Sequence, residues 1–486
     1  MNFAQSVKNQ NAITSDRKLT ENGAVAYSTL NNDLLDLFST IGALRPRTEQ
    51  EIEQKFSRAF AQDRLLATKM IFYCGNIRGG LGERRTFRVC LKWMATNYPE
   101  IVNKNMSLIP LFNRWDSLFV LVGTRCEKNM WEYIAATLEE DMKNISSHKS
   151  ITLLAKWMPS ENTSSQKTRE LARKAMKHLD LTPRTYRKIL SKMRKYLDVT
   201  ERKMSAKEWE DIRYSAVPSY AMKNYSDAFR KHDYARFTEY LNSVNSGKTK
   251  INAATLYPYD LVHKVWGHMN ETAELQWKAL PNYVEGENNY IVMADVSGSM
   301  YGRPIETSIG LATYFAERAT SDYHGLYMTF TDKPHFVCID DNMSLHEIVK
   351  KISRTDIGYN TNLMAAFNYI LDHAVRNNIS PEDMPKALII ISDMEIDKYF
   401  RPNYNWDFLQ TIRKKFADKG FSCPQLIMWN VEARHDTFLT NSQNVLFVSG
   451  QSASTFKQLC TNLNGKTAWD LMIETLNDKM YDCVVV

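Results

Sequence analysis

The sequence lacks the features that would place it in a membrane or outside the cell. None of its windows approaches the run of about 20 apolar residues that a transmembrane helix needs. The first residues, MNFAQSVKNQNAITSDRK, contain no apolar core of the kind found in secretory signals. The seven cysteines are scattered and form no CxxC pair, which favours reduced thiols and argues against a disulfide framework or a zinc site. We therefore expect a cytoplasmic protein without a membrane partner.

Enzyme motifs are missing as well. The sequence contains no P-loop, no HExxH metal-hydrolase motif and no recognisable Ser/His/Asp arrangement. The ten histidines are scattered, and His263 and His268 lie five positions apart, which is a poor spacing for two metal ligands on one helix. These absences predict a binding protein rather than an enzyme.

The composition is that of a folded protein, with 44% hydrophobic and 24% charged residues over 486 positions. This length predicts two or three domains. The charge is unevenly divided, because residues 1–285 carry 44 Lys and Arg against 31 Asp and Glu, whereas the remaining residues carry 18 against 24. A basic first part favours a polyanionic partner, and the alternative is an ordinary solvated helical surface.

Helical periodicity dominates residues 31–285, after a polar segment over residues 1–30. Apolar positions recur one turn apart, as they do over residues 34–38, and the breaks fall at glycines and prolines. Almost no alternating strand pattern occurs before residue 288. We expect an all-α array of stacked helix pairs of the HEAT kind, although no repeat of fixed length is visible.

Residues 166–207 form the basic centre of this helical part. They contain 14 Lys and Arg residues against four Asp and Glu residues, and apolar residues recur among them at helical spacing. The candidate nucleic-acid contacts in this region are Lys167, Arg169, Arg173, Lys174, Lys177, Arg184, Arg187, Lys188, Lys192, Arg194 and Lys195. Tyr186 and Tyr196 lie among these charges, where a ring can stack on an exposed base or simply pack at a helix edge.

The period of the apolar residues changes near residue 288. Buried strands are predicted at 290–294, 325–330, 387–391, 425–429 and 444–448, with an edge strand at 336–339, and helices alternate with them. This alternation predicts a mostly parallel sheet covered on both faces, as in a Rossmann-like α/β domain over residues 288–486. Ligands of such sheets bind beyond the carboxyl ends of the strands.

Oxygen-bearing side chains follow two of these strands. Asp295, Ser297 and Ser299 occupy alternate positions of the loop DVSGS, and Asp393 comes just after the strand at 387–391. Thr361 lies in the polar loop GYNTN, immediately before a predicted helix. Carboxylate and hydroxyl oxygens suit hard cations such as Mg2+ or Mn2+ and not soft metals. We expect these residues to form one metal site at the edge of the sheet.

These loops resemble the metal-ion-dependent adhesion site of von Willebrand A-type domains, in which DxSxS, a threonine loop and an aspartate loop occur in this order. The resemblance implies that Asp295, Ser297 and Ser299 contact the ion directly or through water. Thr361 would bind the ion mainly in an open form of the site, and Asp393 would bind it through water. One coordination position would be left for an acidic group of a partner.

A basic helical part followed by such a domain resembles the Ro (TROVE-type) RNA-binding proteins, in which HEAT-like repeats form a ring that the A-type domain closes. The chain is more similar to an uncharacterised family of Ro-like proteins from plants, large viruses and phages. Beside the metal loops, this resemblance rests on residues 22–28 (NGAVAYS), 36–38 (DLF), 63–73 (DRLLATKMIFY), 76–84 (NIRGGLGER), 113–118 (NRWDSL) and 214–219 (YSAVPS).

The resemblance implies that the helical part binds noncoding or misfolded RNA, in the cytoplasm of the cell or of a virus's host. Arg78, Arg84, Arg85 and Arg88, beside the glycines at 79–80, are candidates for phosphate contacts, and the alternative is a glycine-rich helix connection with solvated arginines. Two other functions fit the same residues. One is a protein-interaction module whose metal captures a partner's carboxylate, and the other is a component of a virion or another assembly.

Overall fold

The computed structural model describes residues 17–286, 289–330, 333–355, 362–396, 408–440, 442, 445–460, 463 and 465–486. The first part is helical, as predicted. Its described helices are α1 (Asp33–Phe38), α2 (Glu49–Gln62), α3 (Arg64–Gly75), α4 (Arg84–Asn97), α5 (Pro99–Lys104), α6 (Leu108–Phe112), α7 (Glu127–Ser146), α8 (Leu154–Trp157), α9 (Gln166–His178), α10 (Pro183–Tyr196), α11 (Thr200–Ala206), α12 (Ser219–His232), α13 (Tyr234–Asn245), α14 (Pro258–Val265) and α15 (Glu271–Lys278).

Capping side chains explain where several of these helices begin. Thr48 and Glu51 form a reciprocal capping box at the start of α2, and Asp63 caps α3. Ser165 and Thr182 accept backbone hydrogen bonds at the starts of α9 and α10. Each of these oxygens satisfies an N–H group that the first turn of a helix leaves unpaired.

The second part contains a sheet of strand order β5-β4-β3-β6-β7-β8. Its strands are β3 (Tyr290–Asp295), β4 (Leu326–Phe330), β5 (His335–Cys338), β6 (Ala387–Ser392), β7 (Gln425–Asn430) and β8 (Leu446–Ser449). All neighbouring strands pair in parallel except β5, which pairs antiparallel with β4 at the edge. Each predicted strand is present with bounds within two residues of the prediction.

Helices alternate with these strands, as the change of period predicted. They are α16 (Arg303–Arg318), α17 (Leu345–Thr355), α18 (Leu363–Arg376), α19 (Phe408–Ala417), α20 (Phe456–Leu459) and α21 (Ala468–Leu476). The second part is therefore a mixed, mostly parallel sheet compatible with an α/β domain.

The hydrophobic core crosses the position where the secondary structure changes. On one face of the sheet, Met293 and Ile390 belong to the same buried cluster as Phe56 of the first helices. On the other face, Val292 shares a core with α14, which packs along α16. The change of pattern near residue 288 is therefore not a boundary between separate cores.

A short β-hairpin precedes the helices, in the segment that the sequence predicts only as polar. β1 (Arg17–Leu19) pairs antiparallel with β2 (Val25–Tyr27). Thr20 Oγ1 donates to the carbonyl of Ile396 at 2.6 Å, and Tyr27 exchanges backbone hydrogen bonds with Phe438. Three-residue strands carry too little alternation to be recognised in a sequence, and distant parts of the chain hold this hairpin in place. The prediction of almost no strand before residue 288 is wrong at this point.

The two parts also meet where the backbones at Gly42 and Gly450 approach closely. The Gly42 N–H donates to Ser449 Oγ at 3.0 Å, and a Cβ atom at Gly42 would lie 2.8 Å from Gly450 Cα. The last residues dock on the first helices, because Asn105 Nδ2 donates to the carbonyl of Val485 at 2.6 Å. Among the residues that the structure describes, no helix has both the length and the apolar character that a membrane crossing requires.

Candidate metal site and basic surfaces

Two aspartates lie at the carboxyl ends of neighbouring strands. Asp295 ends β3 and is fully buried, and Asp393 follows β6 with 1% of its surface exposed. Ser392 Oγ donates to Asp295 Oδ2 at 2.6 Å, and the Ser297 N–H donates to Asp295 Oδ1 at 2.9 Å. Burial, followed by the negative charge of Asp393, raises the pKa of Asp295 to about 7.

The loop after β3 adds two hydroxyl groups to this edge. Ser297 Oγ and Ser299 Oγ lie 3.2 Å apart, and a 3-10 turn over Gly298–Met300 leads from them toward α16. The structure thus brings together four of the five predicted metal residues. Thr361 lies outside the described residues.

Arg434 is a member of this edge that the sequence reasoning missed. Its guanidinium donates to the carboxylate of Asp393 and, at 3.0 Å, to the carbonyl of Ser299. Burial alone would lower the pKa of Arg434, but Asp393 outweighs burial and raises it. The residue follows β7, whose carboxyl end lies at the same edge of the sheet. The charged run 432–436 (EARHD) after a buried strand was the signal that could have identified it.

The oxygen donors fit a small hard divalent cation. Asp295 has no cationic partner of its own within the described residues, and the raised pKa shows that its negative charge is poorly compensated. The available ligands are carboxylate and hydroxyl oxygens, which Mg2+ and Mn2+ prefer. No group of three or more His, Cys, Asp or Glu side chains suited to a metal occurs in the described ranges, so a metal here would depend on the hydroxyls as well.

A third acid after β6, Glu395, has a structural role. It is 1% exposed, and its Oε2 accepts from the backbone N–H of Glu21 at 2.7 Å. Its Oε1 accepts from Thr437 Oγ1 at 3.2 Å. Glu395 therefore fastens the N-terminal hairpin to the edge of the sheet.

The basic centre forms an exposed cationic surface on α9 and α10. Both helices bury an apolar side, which contains Ala172 and Ala175 in α9 and Leu190 and Met193 in α10. Eight exposed cations on these two helices make no ion pair with any acidic side chain in the described part of the chain. We call them the basic face: Lys167, Arg173, Lys174, Lys177, Arg184, Lys188, Lys192 and Lys195.

Some predicted nucleic-acid residues have other partners. Arg194 is half-buried and donates to the carbonyls of Ala155 and Met158, so it holds α10 against the α8 region. Arg187 pairs with Glu161, and Arg169 donates to the backbone carbonyl of Thr163 at 2.6 Å. These three contacts fix local structure.

The two tyrosines of this region differ. Tyr186 is 1% exposed, and its hydroxyl donates to the carbonyl of Pro159 at 2.7 Å, so stacking of this ring on a base is excluded. Helical spacing alone could not reveal that Tyr186 faces the core. Tyr196 is 39% exposed and donates to the carbonyl of Lys149 at 2.8 Å, which leaves part of its ring accessible.

The glycine-rich loop before α4 is a packing junction. The carbonyl of Gly80 accepts from Ser454 Oγ at 2.9 Å, and a Cβ atom at Gly80 would overlap the carbonyl oxygen of Tyr73. Arg84, Arg85 and Arg88 line a separate cleft, described below, which Arg78 does not line. The loop thus matches the alternative of a tight helix connection, while three of its neighbouring arginines share one cleft.

A further polar cluster connects α12, α14 and α16. Asp260 accepts from Tyr220 at 2.7 Å and from Lys223 at 2.6 Å. Arg303, just beyond the loop that follows β3, donates to the Tyr259 hydroxyl, and its guanidinium carbon lies 4.0 Å from the centre of that ring. The partners come from three helices far apart in sequence, so no local motif could have identified them.

Comparisons with known proteins give families without an assigned function. One domain of unknown function, DUF2828, matches residues 20–114 and 163–287, and another, DUF7788, matches residues 289–478. The two matches adjoin where the helical pattern gives way to alternating strands and helices.

A giant-virus protein is similar along most of the chain. It is an uncharacterized protein of Acanthamoeba polyphaga mimivirus, 28% identical over 481 residues, and the match covers 90% of this chain and 83% of the viral protein. These findings fit an uncharacterised, virus-associated family, in agreement with the giant-virus part of the predicted relationship.

Proposed function

We propose that this protein binds noncoding or misfolded RNA and has the arrangement of the Ro proteins, with a HEAT-like helical part and a von Willebrand A-type domain. The basic face carries the RNA proposal. Its cations are exposed and lack acidic partners among the described residues, so they are available to neutralise phosphates.

The arrangement of the two parts supports the same proposal. The first helices contact the C-terminal part through Gly42 and Gly450, and the last helices contact it through α14 and α16. A helical array held at both ends by the second part is what a ring closed by an A-type domain requires. The cytoplasm, or the host cytoplasm for a virus-encoded protein, stays the predicted compartment.

We also propose a Mg2+ or Mn2+ ion at the edge of the sheet. Asp295, Ser297, Ser299 and Asp393 would hold it, together with Thr361 from outside the described residues. A bound Mg2+ supplies a positive centre that can take one more oxygen ligand from a partner. The arrangement includes no nucleophile with an adjacent general base, so the proposed activity is binding and not catalysis.

The test compares two double variants of the full-length protein. Lys188→Gln with Lys192→Gln removes two neighbouring charges of the basic face. Lys128→Gln with Lys143→Gln removes two exposed lysines of α7, which pair with Glu132 and Glu139. We expect the first variant to bind a structured RNA about tenfold more weakly and to lose about 0.7 of salt slope per phosphate contact, because fewer counterions are released. The measurement is RNA affinity by fluorescence anisotropy over a salt series.

The matched variant on α7 should bind RNA as the unchanged protein does. Equal losses in both variants would reduce the effect to net charge, and the proposal of a specific face would fail. No binding by the unchanged protein at low salt would overturn the RNA proposal itself.

A second candidate function is capture of a partner protein's carboxylate by the metal. One observation favours it: Tyr301, two residues after Ser299, is 90% exposed beside the loop. Exposed aromatic side chains are enriched at protein interfaces. A protein partner that copurifies without RNA, and dissociates when Mg2+ is chelated and in a Tyr301→Ser variant, would favour this function.

A further inference from the structure

A cleft of about 460 Å3 lies beside the start of α4 and gathers positive charge. Five cations line it: Arg45, Arg84, Arg85, Arg88 and Lys92. Its volume falls in the range of about 300–1,000 Å3 that is usual for small-ligand pockets. The cleft can therefore enclose one nucleotide-sized group.

The spacing of these cations on α4 is unfavourable without a ligand. Arg84, Arg88 and Lys92 are four residues apart, so they lie along one side of the helix. Like charges at this spacing destabilise a helix. Burial, and then the positive charges of Arg114 and Arg88, lower the pKa of Arg84.

The acidic groups nearby are already engaged. Glu83 pairs with Arg45 at 2.7 Å and accepts from the Arg85 N–H at 3.0 Å, which caps α4. Asp116 pairs with Arg88 at 2.9 Å and also with Arg114. The fourth acid, Glu49 at the rim of the cleft, makes no ion pair among the described residues.

Three cations of the cleft stay without a carboxylate partner within the part of the chain that the structure describes. Arg84 and Lys92 make no side-chain hydrogen bond there, and Arg85 donates only to the carbonyl of Arg45 at 3.1 Å. A phosphate monoester carries a charge of about −2 at neutral pH and three acceptor oxygens, whereas an internal phosphodiester carries a single charge. Guanidinium groups bind phosphate oxygens in pairs, with geometry that matches them.

We infer that this cleft binds a phosphate monoester on a nucleotide-sized group. The source could be the phosphorylated end of an RNA or a free nucleotide. The choice of an RNA end rests on the proposed RNA-binding function, whereas recognition of the phosphate itself does not.

The test uses one short oligoribonucleotide sequence with a 5′-phosphate, a 3′-phosphate or hydroxyl groups at both ends, and AMP as the free nucleotide. The proteins are the unchanged chain, Arg84→Gln, Lys92→Gln and a control, Arg125→Gln. Arg125 is an exposed arginine before α7 that does not line the cleft. We expect one phosphorylated end to bind about tenfold more tightly than the hydroxyl form, which is the effect of about 1.4 kcal/mol. The preference should disappear in the first two variants and persist in the control.

Thermal stability provides a second measurement that needs no RNA. Arg84→Gln should raise the melting temperature of the ligand-free protein, because it removes repulsion among like charges. Inorganic phosphate should stabilise the unchanged protein more than this variant. A lower melting temperature of ligand-free Arg84→Gln, with equal stabilisation of both proteins by phosphate, would contradict the inference.

The outcomes separate this inference from the proposed function. Equal binding of all three RNA forms, without competition by AMP, overturns the cleft inference and leaves RNA binding intact. Binding of AMP but of no RNA, lost in Arg84→Gln, supports the cleft as a free-nucleotide site and overturns RNA binding. Binding of neither RNA nor AMP overturns both.

Discussion

Lys188 and Lys192 are exposed to solvent on α10, whereas Asp295 and Asp393 have almost no exposed surface at the edge of the sheet. The helical part therefore keeps its unpaired charge in water, and the C-terminal part keeps it in the interior. An exposed charge costs little to fold and can be replaced with little change of stability. A buried charge links ligand binding, pH and folding, because the ion that compensates it also stabilises the fold.

The largest effect is expected where the two parts are joined. Gly80→Ala should lower the free energy of unfolding by about 3 kcal/mol, because a Cβ atom there would overlap the backbone carbonyl of Tyr73. Urea unfolding followed by circular dichroism measures this change. A comparable control is Gly267→Ala, since no atom lies within 4 Å of a Cβ at Gly267.

The control should change stability only slightly. If Gly80→Ala were as stable as the control, the glycine loop would not be the tight junction described, and a role as a free phosphate-binding loop would regain support.

A second prediction concerns the pH dependence of the metal-free protein. Asp295 binds its proton more tightly in the folded chain, where its pKa is about 7, than at its ordinary value of 3.8. Between these values the folded state holds more protons than the unfolded state, so this group makes stability fall as pH rises from about 4 to 7. Asp295→Asn should remove this part of the slope, in melting curves recorded with a chelator. One pKa unit corresponds to about 1.4 kcal/mol, so a difference of several degrees is expected.

Asp372→Asn is the matched control, because Asp372 is an exposed aspartate of α18. It should keep the pH slope of the unchanged protein. An Asp295→Asn protein with that same slope would show that Asp295 is ionised in the folded state at acidic pH, against the prediction.

A third and smaller effect is expected at Arg434. Its guanidinium occupies Asp393, one of the proposed metal residues, so a metal has to compete with it. Arg434→Gln should bind Mg2+ more tightly, by on the order of three- to tenfold, in calorimetric titrations. Arg413→Gln, at an exposed position of α19, should leave Mg2+ affinity unchanged. Weaker Mg2+ binding in Arg434→Gln would mean that the arginine organises the site instead of competing for it.

The smallest effect tests whether the two parts act separately. Asp295→Ala should abolish Mg2+ binding but change RNA affinity by less than about twofold, because the basic face and the metal site use different residues and opposite kinds of burial. RNA titrations of the folded variant measure this. A large loss of RNA binding would show that the metal site and the helical part are coupled.

The sequence predicts best what repeats locally. The strands β3, β6 and β7 are runs of apolar residues with clear ends, so their positions and the convergence of Asp295 and Asp393 follow from pattern and topology alone. The hairpin at 17–27 and the burial of Tyr186 depend on contacts with distant segments, which local periodicity does not contain. Arg434 falls in the same class, since its role is set by the loop after β6.

The close approach of Gly42 and Gly450 has a consequence for biosynthesis. The backbone of Gly42 cannot reach its final environment until Ser449 and Gly450 have left the ribosome. At about 5–20 residues per second, the intervening chain takes roughly 20–80 s to be made. During that interval the apolar side of α1, including Leu37 and Phe38, waits without the C-terminal part of its core. A nascent chain of this kind is a natural client for chaperones that shield apolar helices until synthesis ends.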